Sequence, residues 1–396
     1  MDPIANPYTP NAGSRPPELA GREGQIEQFG IMIARLARGA TEQSLVVRGL
    51  RGVGKTVLLN AFEDQAEAGG FLTYYHELTP DSNLIDDLAR DAERSLTRLS
   101  PGARVARRIR AALAHLKTIR VLGPEGFGLG VELGDADEGT ITADLTDLFL
   151  QLGEAAREQG AGVAIFLDEL QFVEEVHYRA LISALHRVNQ KALPIAVAGA
   201  ALPQIPQLSG EARSYAERLF EFPTIGNLDR AAADLALAEP ARRLEVDFSV
   251  AAMEAAFEWT AGYPFYIQQL GKHAWNLAPG PGFTEDDVKR AIPVAQSALD
   301  KSIYEVRVQR ATEGERRYMR AMAELGDGPY RSGQIAEKLG QAVSQGSPTR
   351  QQLMTKGLIY ATEDYGYVAF SVPRFAEFMR RYMPHELPGE DSVSRS

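Results

Sequence analysis

The sequence contains no cysteine, so disulfide frameworks, cysteine-bound zinc and thiol chemistry are excluded. Its six histidines are scattered; no pair has metal-ligand spacing, and each reads as a surface or core residue. No apolar run approaches the roughly 18 residues that cross a bilayer, and the N-terminus lacks the basic-then-apolar order of a secretory signal. The expectation is a soluble, cytoplasmic chain without a membrane partner. Net positive charge is missing too. At −11 the protein is not expected to coat nucleic acid over its whole surface, although a local basic face is compatible with that balance.

What is present is an ordinary globular composition, 44% apolar and 24% charged, on 396 residues, enough for two or three domains with separate cores. The chain is organised around SLVVRGLRGVGKTVLL, Ser44 to Leu59. An apolar run leads into Gly49, Gly52 and Gly54, then Lys55 and Thr56, then Val57, Leu58 and Leu59: a strand, a glycine turn and a helix, the phosphate-binding P-loop order. Across Gly49, Leu50, Arg51, Gly52, Val53, Gly54, Lys55, Thr56 and Val57, glycines let backbone N–H groups converge on phosphate oxygens, and the helix start adds its positive dipole end. Lys55 is a point charge for the β- and γ-phosphates, and the Thr56 hydroxyl is a ligand for Mg²⁺.

Before this stretch, residues 1–17 are rich in Pro, Asn and Gly without periodicity and read as poorly ordered in isolation. An amphipathic helix follows, with Ile26, Phe29, Ile33 and Leu36 on one face. After it, residues 71–78 read as a strand and 82–99 as a helix. Residues 104–120 carry Arg104, Arg107, Arg108, Arg110, Lys117 and Arg120 and no acid; this basic helix is either a phosphate-backbone contact or a solvated or subunit-facing surface. Residues 118–133 alternate weakly around glycines, as a hairpin does. Residues 145–159 are helical, and VAIFLDEL, 163–170, is a strand buried on both faces that ends in Asp168 and Glu169. Two acids at such a strand end complete a P-loop site: Asp168 for Mg²⁺, Glu169 to polarise an attacking water. Residues 173–189 form a further helix, and 194–199 and 217–222 two more strands. Alternating strands and helices give an α/β sheet with crossover helices.

These features together resemble an AAA+ ATPase, most closely its origin-recognition-type and archaeal-ATPase-like groups. The residues that carry the likeness are PELAGREGQI (17–26), GLRGVGKT (49–56), IFLDEL (165–170), AERLFEF (216–222) and TAGYPFYIQQL (260–270). The resemblance implies an ATP·Mg²⁺ site in which Leu19, Gly21 and Arg22 lie near the adenine, Thr56 and Asp168 hold the metal, and Glu169 and Lys55 serve hydrolysis. It also implies that Arg218 is an arginine finger acting on a neighbour's ATP in a homo-oligomer; as a lone residue Arg218 reads equally well as a surface ion-pair partner. Two departures stand out. After the fourth strand AVAGAALPQ offers no Asn, Ser or Thr as polar sensor, leaving Gln204 and Gln171 as candidates. Phe265 occupies the place of the lid sensor arginine. Gly262 and Pro264 instead resemble the Gly-x-Pro lid motif of signal-transduction ATPases, whose proline region contacts nucleotide. Both departures leave binding intact and point to slow turnover.

Residues 228–298 read as helical throughout, with Leu235, Leu237, Leu244, Met253, Phe257, Trp259, Tyr266, Ile267 and Leu270 as core candidates. Beyond them a helix (313–325), a second (332–340), a third begun by Ser347 and Pro348 and closed by Gly357, and a hairpin around Asp364 to Gly366 resemble a winged helix-turn-helix. That likeness implies a recognition helix bearing Arg350, Gln351 and Lys356 and a wing tip at Tyr365. Residues 312–383 hold ten Lys and Arg against eight Asp and Glu, so both DNA contact and protein contact are open. The expected organisation is an N-terminal segment (1–20), an AAA+ core with a parallel five-stranded sheet (21–225), a helical lid (226–300), a winged-helix domain (301–384) and a tail (385–396). Three functions compete: an ATP hydrolase working on DNA, a slow nucleotide switch in regulation, and an adaptor with structural nucleotide.

Overall fold

The computed structural model describes residues 1–11, 13–99, 106, 107, 109, 110, 113, 135–203, 216–326, 328–362 and 364–384, with backbone alone at 135–138. Most of the basic stretch 104–120 and the whole hairpin-like stretch 118–133 lie outside the described residues, as do Gln204 and the tail.

The core alternates helices and strands: α1 (Glu23–Ala37), β1 (Ser44–Arg48), α2 (Lys55–Ala68), β2 (Phe71–Glu77), α3 (Leu84–Leu99), α4 (Asp135–Glu158), β3 (Gly162–Asp168), α5 (Glu175–Gln190), β4 (Ile195–Ala201) and β5 (Phe220–Glu221). The five strands form one sheet in the order β2-β3-β4-β1-β5, every pair parallel. β3 and β4 are buried at every residue, as their continuous apolar runs require when helices cover both faces. Alternate residues serve the two faces: Ala164 and Phe166 pack with Phe29 and Phe62 of α1 and α2, while Val163, Ile165 and Leu167 pack with Leu88, Leu148 and Leu181 of α3, α4 and α5. Phe29 and Phe62 stack with centroids 4.3 Å apart. The fifth strand is shorter than its expected span, because residues 216–219 are helical.

The register brings the carboxyl ends of β1 and β3 together across β4. Leu167 pairs with Gly199 and Gly199 with Val46, so Asp168 and the loop leaving β1 emerge on one edge.

The lid comprises α6 (Arg230–Arg242), the short strand β6 (Asp247–Phe248), α7 (Val250–Thr260), α8 (Pro264–Leu277), β7 (Gly282–Phe283) and α9 (Glu285–Leu299). Thr284 caps α9 reciprocally with Asp287. Of the expected lid core, Leu237, Tyr266, Ile267 and Leu270 are buried, but Leu235 and Leu244 face solvent. The small alanines of α6 and the ring of Tyr8 fill the interior instead. Tyr8 belongs to the N-terminal segment, which is not loose as its composition suggests. Its hydroxyl donates to Leu237 O, Trp275 Nε1 donates to Asp2 O at 2.8 Å and the N-terminal amine donates to Ala278 O at 2.7 Å. One buried aromatic and a few long-range hydrogen bonds order a segment that has no periodicity of its own.

α9 runs without a break through a π turn, Asp300–Glu305, into α10 (Val306–Gln309), so the boundary expected near residue 300 falls inside one helical rod. The C-terminal domain follows: α11 (Glu313–Glu324), β8 (Tyr330–Arg331), α12 (Ser332–Lys338), α13 (Val343–Thr355), β9 (Ile359–Ala361), β10 (Tyr367–Phe370) and α14 (Phe375–Tyr382). Its strands form an antiparallel sheet in the order β8-β10-β9. α13 starts at Val343, not at Ser347: Gln345 Oε1 accepts the Ala342 N–H at 2.9 Å, and this cap sets the start four residues ahead of the Ser-Pro pair, leaving Pro348 inside the helix.

Candidate nucleotide site

The loop from Gly49 to Gly54 connects β1 to α2 with left-handed backbone at Gly52 (φ 81°) and Gly54 (φ 94°), angles that a β-carbon would strain. Space is short as well. A β-carbon on Gly49 would lie 2.5 Å from Ile225 O, and one on Gly52 would lie 2.8 Å from the Tyr263 hydroxyl and 3.3 Å from Phe265 Cβ. The lid therefore sits directly on the phosphate loop, with Pro264 as the first residue of α8. Phe265, which stands where a sensor arginine was sought, packs against Gly52.

Lys55 is 7% exposed, and its ammonium donates to Gly49 O and Leu50 O, both at 2.9 Å. Burial pushes its pKa down to about 8, with Glu169 and Asp168 opposing and Arg51 reinforcing the shift. Thr56 Oγ1 donates to Asp168 Oδ2 at 2.6 Å. Asp168 is 3% exposed; it also accepts from the Tyr75 hydroxyl at 3.1 Å and, through Oδ1, from the Glu169 N–H at 2.8 Å. The P-loop threonine and the strand-end aspartate, 112 residues apart in sequence, are thus in contact. Tyr75, on β2, was missed; its neighbour in the sheet register, Phe166, lies two residues before Asp168, which was the available signal.

Glu169 has left-handed backbone, φ 54°, which is uncommon for a non-glycine and marks functional sites. Its side chain turns to Arg51: Arg51 Nη1 donates to Oε1 at 2.9 Å and Nη2 to Oε2 at 3.4 Å. Gln171 Nε2 also donates to Oε2, while Gln171 Oε1 accepts the Leu202 N–H at 3.1 Å. Gln171 thereby links Glu169 to the end of β4, the position where no Asn, Ser or Thr is available.

Arg22 is buried between lid and loop, donating to Val53 O at 3.2 Å and to Gly226 O; burial lowers its pKa. Gly21 has φ 70°, and a β-carbon there would be 2.9 Å from Ala232 Cβ of α6. Leu19 is half-buried beside them. Gly13 lies against Thr56, and Asn60 Nδ2 donates to Gly13 O at 3.4 Å. The N-terminal segment therefore crosses from lid to α2 past Thr56.

Arg218 is not brought to this site. Phe220 pairs with Ser44 at the start of β1, whereas the P-loop leaves its end, and Arg218 is exposed at the opposite edge of the sheet. In the C-terminal domain Gln351 and Tyr365 are exposed and Arg350 is half-buried. Lys356 is exposed, but its ammonium is paired with buried Glu315 at 2.7 Å and donates to Arg310 O at 3.1 Å. Among the described residues no group of three or more His, Asp or Glu forms a further metal cluster, and no helix is long and apolar enough to cross a membrane.

The residues fit a nucleoside triphosphate with Mg²⁺. Two oxygen donors, Thr56 and Asp168, converge at the strand end as a hard cation requires. The Tyr263 hydroxyl, buried beside Gly52, finds no hydrogen-bond partner among the described residues. Such a group invites a polar ligand.

Comparisons with known proteins agree with this geometry. Residues 18–198 match the model of the AAA ATPase domain, and residues 301–379 match a domain of unknown function. No curated protein sequence matches. The structure is similar to a Walker-type ATPase of Pyrococcus abyssi, at 15% identity over 92% of this chain and 97% of that one with a TM-score of 0.51. It is also similar to Aeropyrum pernix ORC1 solved with DNA, at 17% identity, 92% and 94% coverage and a TM-score of 0.47. The Thermotoga maritima RuvB Holliday junction branch migration motor gives 16%, 94%, 99% and 0.47. With an assembled P-loop, a paired-acid strand end and a matched model over residues 18–198, this chain carries an AAA ATPase domain with a P-loop nucleotide site.

Proposed function

We propose that the chain is a Mg²⁺-dependent ATP hydrolase whose nucleotide state controls a DNA-contacting winged-helix module. The observation that carries the reading is the 2.6 Å contact between Thr56 and Asp168, which joins phosphate loop and metal-binding acid in one site. The backbone N–H groups of the loop and Lys55 would hold the β- and γ-phosphates, Thr56 and Asp168 the metal, and Leu19, Gly21 and Arg22 the adenine side. Mg²⁺ would neutralise charge between the phosphates. Glu169 would orient and polarise the attacking water, with Gln171 fixing its position from the end of β4. Pro264 and Tyr263 bring the lid to the same loop, so gain or loss of the γ-phosphate would alter the angle between core and lid. The rod from α9 through α10 would carry that change to the C-terminal domain. The helix order, the antiparallel hairpin and the fully exposed Tyr365 support the winged-helix reading. Arg218 could serve hydrolysis only across a homo-oligomeric interface.

The second reading, a slow nucleotide switch acting through protein contacts, is favoured by Phe265 on Gly52 and by the charge of Lys356 being paired with Glu315. Steady-state phosphate release from wild type and Glu169→Gln, with mant-ATP binding in parallel and with or without duplex DNA, separates the two. The hydrolase reading expects wild-type turnover that DNA alters, and a Gln variant that binds but does not turn over. Binding without turnover in wild type under every condition would leave the switch.

A further inference from the structure

The Glu169 carboxylate is held on the side away from free solvent exchange by neighbouring side chains. Both of its oxygens are engaged, Oε1 by Arg51 and Oε2 by Arg51 and Gln171. Of the roughly four lone-pair positions of a carboxylate, the guanidinium and the amide take three, and the bidentate pair fixes the direction in which the remaining one points. The pair is partly shielded from solvent, with side chains 22% and 20% exposed, so it is screened less than a surface ion pair.

The other end of Arg51 is held by a different domain. Its backbone N–H donates to Ser371 O at 3.1 Å, just beyond β10. Its Nη2 lies where Gly357 presents no side chain: a β-carbon there would be 2.7 Å away. Gly357 is fixed in turn, since the buried Ser371 hydroxyl donates to Gly357 O at 2.6 Å. A second cation stands nearby. Burial, and after it the charge of Arg51, push Arg307 of α10 down to about 10. Pro373 O receives the hydroxyls of Tyr266 from the lid and Tyr304 from the π turn, at 2.9 and 3.0 Å. Lid, rod and C-terminal domain therefore close together behind the phosphate loop, and the guanidinium that emerges from this junction grips Glu169.

We propose that Arg51 is a latch on Glu169: seated against Gly357 and Ser371, it holds the carboxylate away from water, so that ATP turnover requires the C-terminal domain to lift from the phosphate loop. This rests on the hydrolase reading above and adds to it a positioning residue and the direction in which the C-terminal domain acts, which is inhibitory while docked.

The test is steady-state ATP hydrolysis by the full chain carrying Arg51→Ala, beside wild type and Arg51→Lys. Mant-ATP affinity and backbone hydrogen exchange of the 357–371 segment are measured on the same samples. The latch predicts kcat higher by about 10-fold in Arg51→Ala with KM within about 2-fold of wild type, as expected for loss of a charge-assisted bidentate pair. Arg51→Lys, which keeps charge but cannot form the planar pair, should lie between. Exchange in 357–371 should quicken in Arg51→Ala. Gly357→Ala, which crowds Nη2 from the other side, should raise kcat in the same direction. Unchanged or lower kcat in Arg51→Ala, with ATP bound and wild type active, overturns the latch alone. Turnover in neither protein, with ATP bound by both, overturns the hydrolase reading and the latch with it.

Discussion

The C-terminal domain has two faces of opposite character. The inner face, built from buried Gly357 and Ser371 and half-buried Pro373, meets the phosphate loop, the lid and the π turn through hydrogen bonds between 2.9 and 3.1 Å, and leaves its polar groups paired. The outer face presents the exposed Gln351 and the fully exposed Tyr365. Polar groups that are buried must be satisfied, whereas exposed ones are satisfied by water at no cost. The inner face is therefore committed to the nucleotide core, and the outer face is available to a partner.

The largest way to break this comparison lies at the core that the inner face serves. Lys55→Ala should weaken ATP binding by about 100-fold, through loss of a charge-assisted phosphate contact, in a mant-ATP titration. Asp168→Asn should lose most of the Mg²⁺ enhancement of ATP affinity, about 10-fold or more, while metal-free binding stays near wild type. Next is the seam itself. Ser371→Ala strands one buried carbonyl acceptor, Gly357 O, since Leu358 O keeps the Ser371 N–H, and should cost about 1–3 kcal/mol in a urea melt, whereas Tyr365→Ala on the outer face should stay within about 0.5 kcal/mol.

The smallest effect is a pH dependence that belongs to the inner side only. Because burial lowers the Lys55 pKa to about 8 from an ordinary value near 10.5, the folded protein releases this proton before the unfolded chain does. Between those values the unfolded state holds more protons, so this group's contribution to stability rises with pH. Phosphate binding needs the charged form and runs the other way: ADP affinity should be flat below about pH 8 and weaken above it, as isothermal titration at pH 6.5, 7.5 and 9 would show.

What the sequence disclosed depended on how local the signal was. The P-loop was legible because glycine, lysine and threonine chemistry is written in eight consecutive positions, and β3 because a strand buried on both faces must be continuously apolar. Asp168 and Glu169 were legible as a pair at a strand end. Two of their partners were not: Arg51 and Glu169 are 118 residues apart, and Tyr75 reaches Asp168 only through sheet register. The N-terminal segment misled because Pro and Gly composition describes an isolated chain, while one tyrosine ring buried against Gly271 fixes it in place. The start of α13 misled because Ser-Pro is a common helix opening, and a glutamine-backed cap four residues earlier supplied the hydrogen bond first.

The central claim is that Thr56 and Asp168 make one ATP·Mg²⁺ site with the loop around Lys55. The most direct measurement is mant-ATP binding to the full chain with and without Mg²⁺, for wild type and Asp168→Asn. Saturable binding that Mg²⁺ strengthens in wild type and fails to strengthen in the variant is the predicted result. Wild type that does not bind ATP, or a variant in which Mg²⁺ strengthens binding as in wild type, would contradict it.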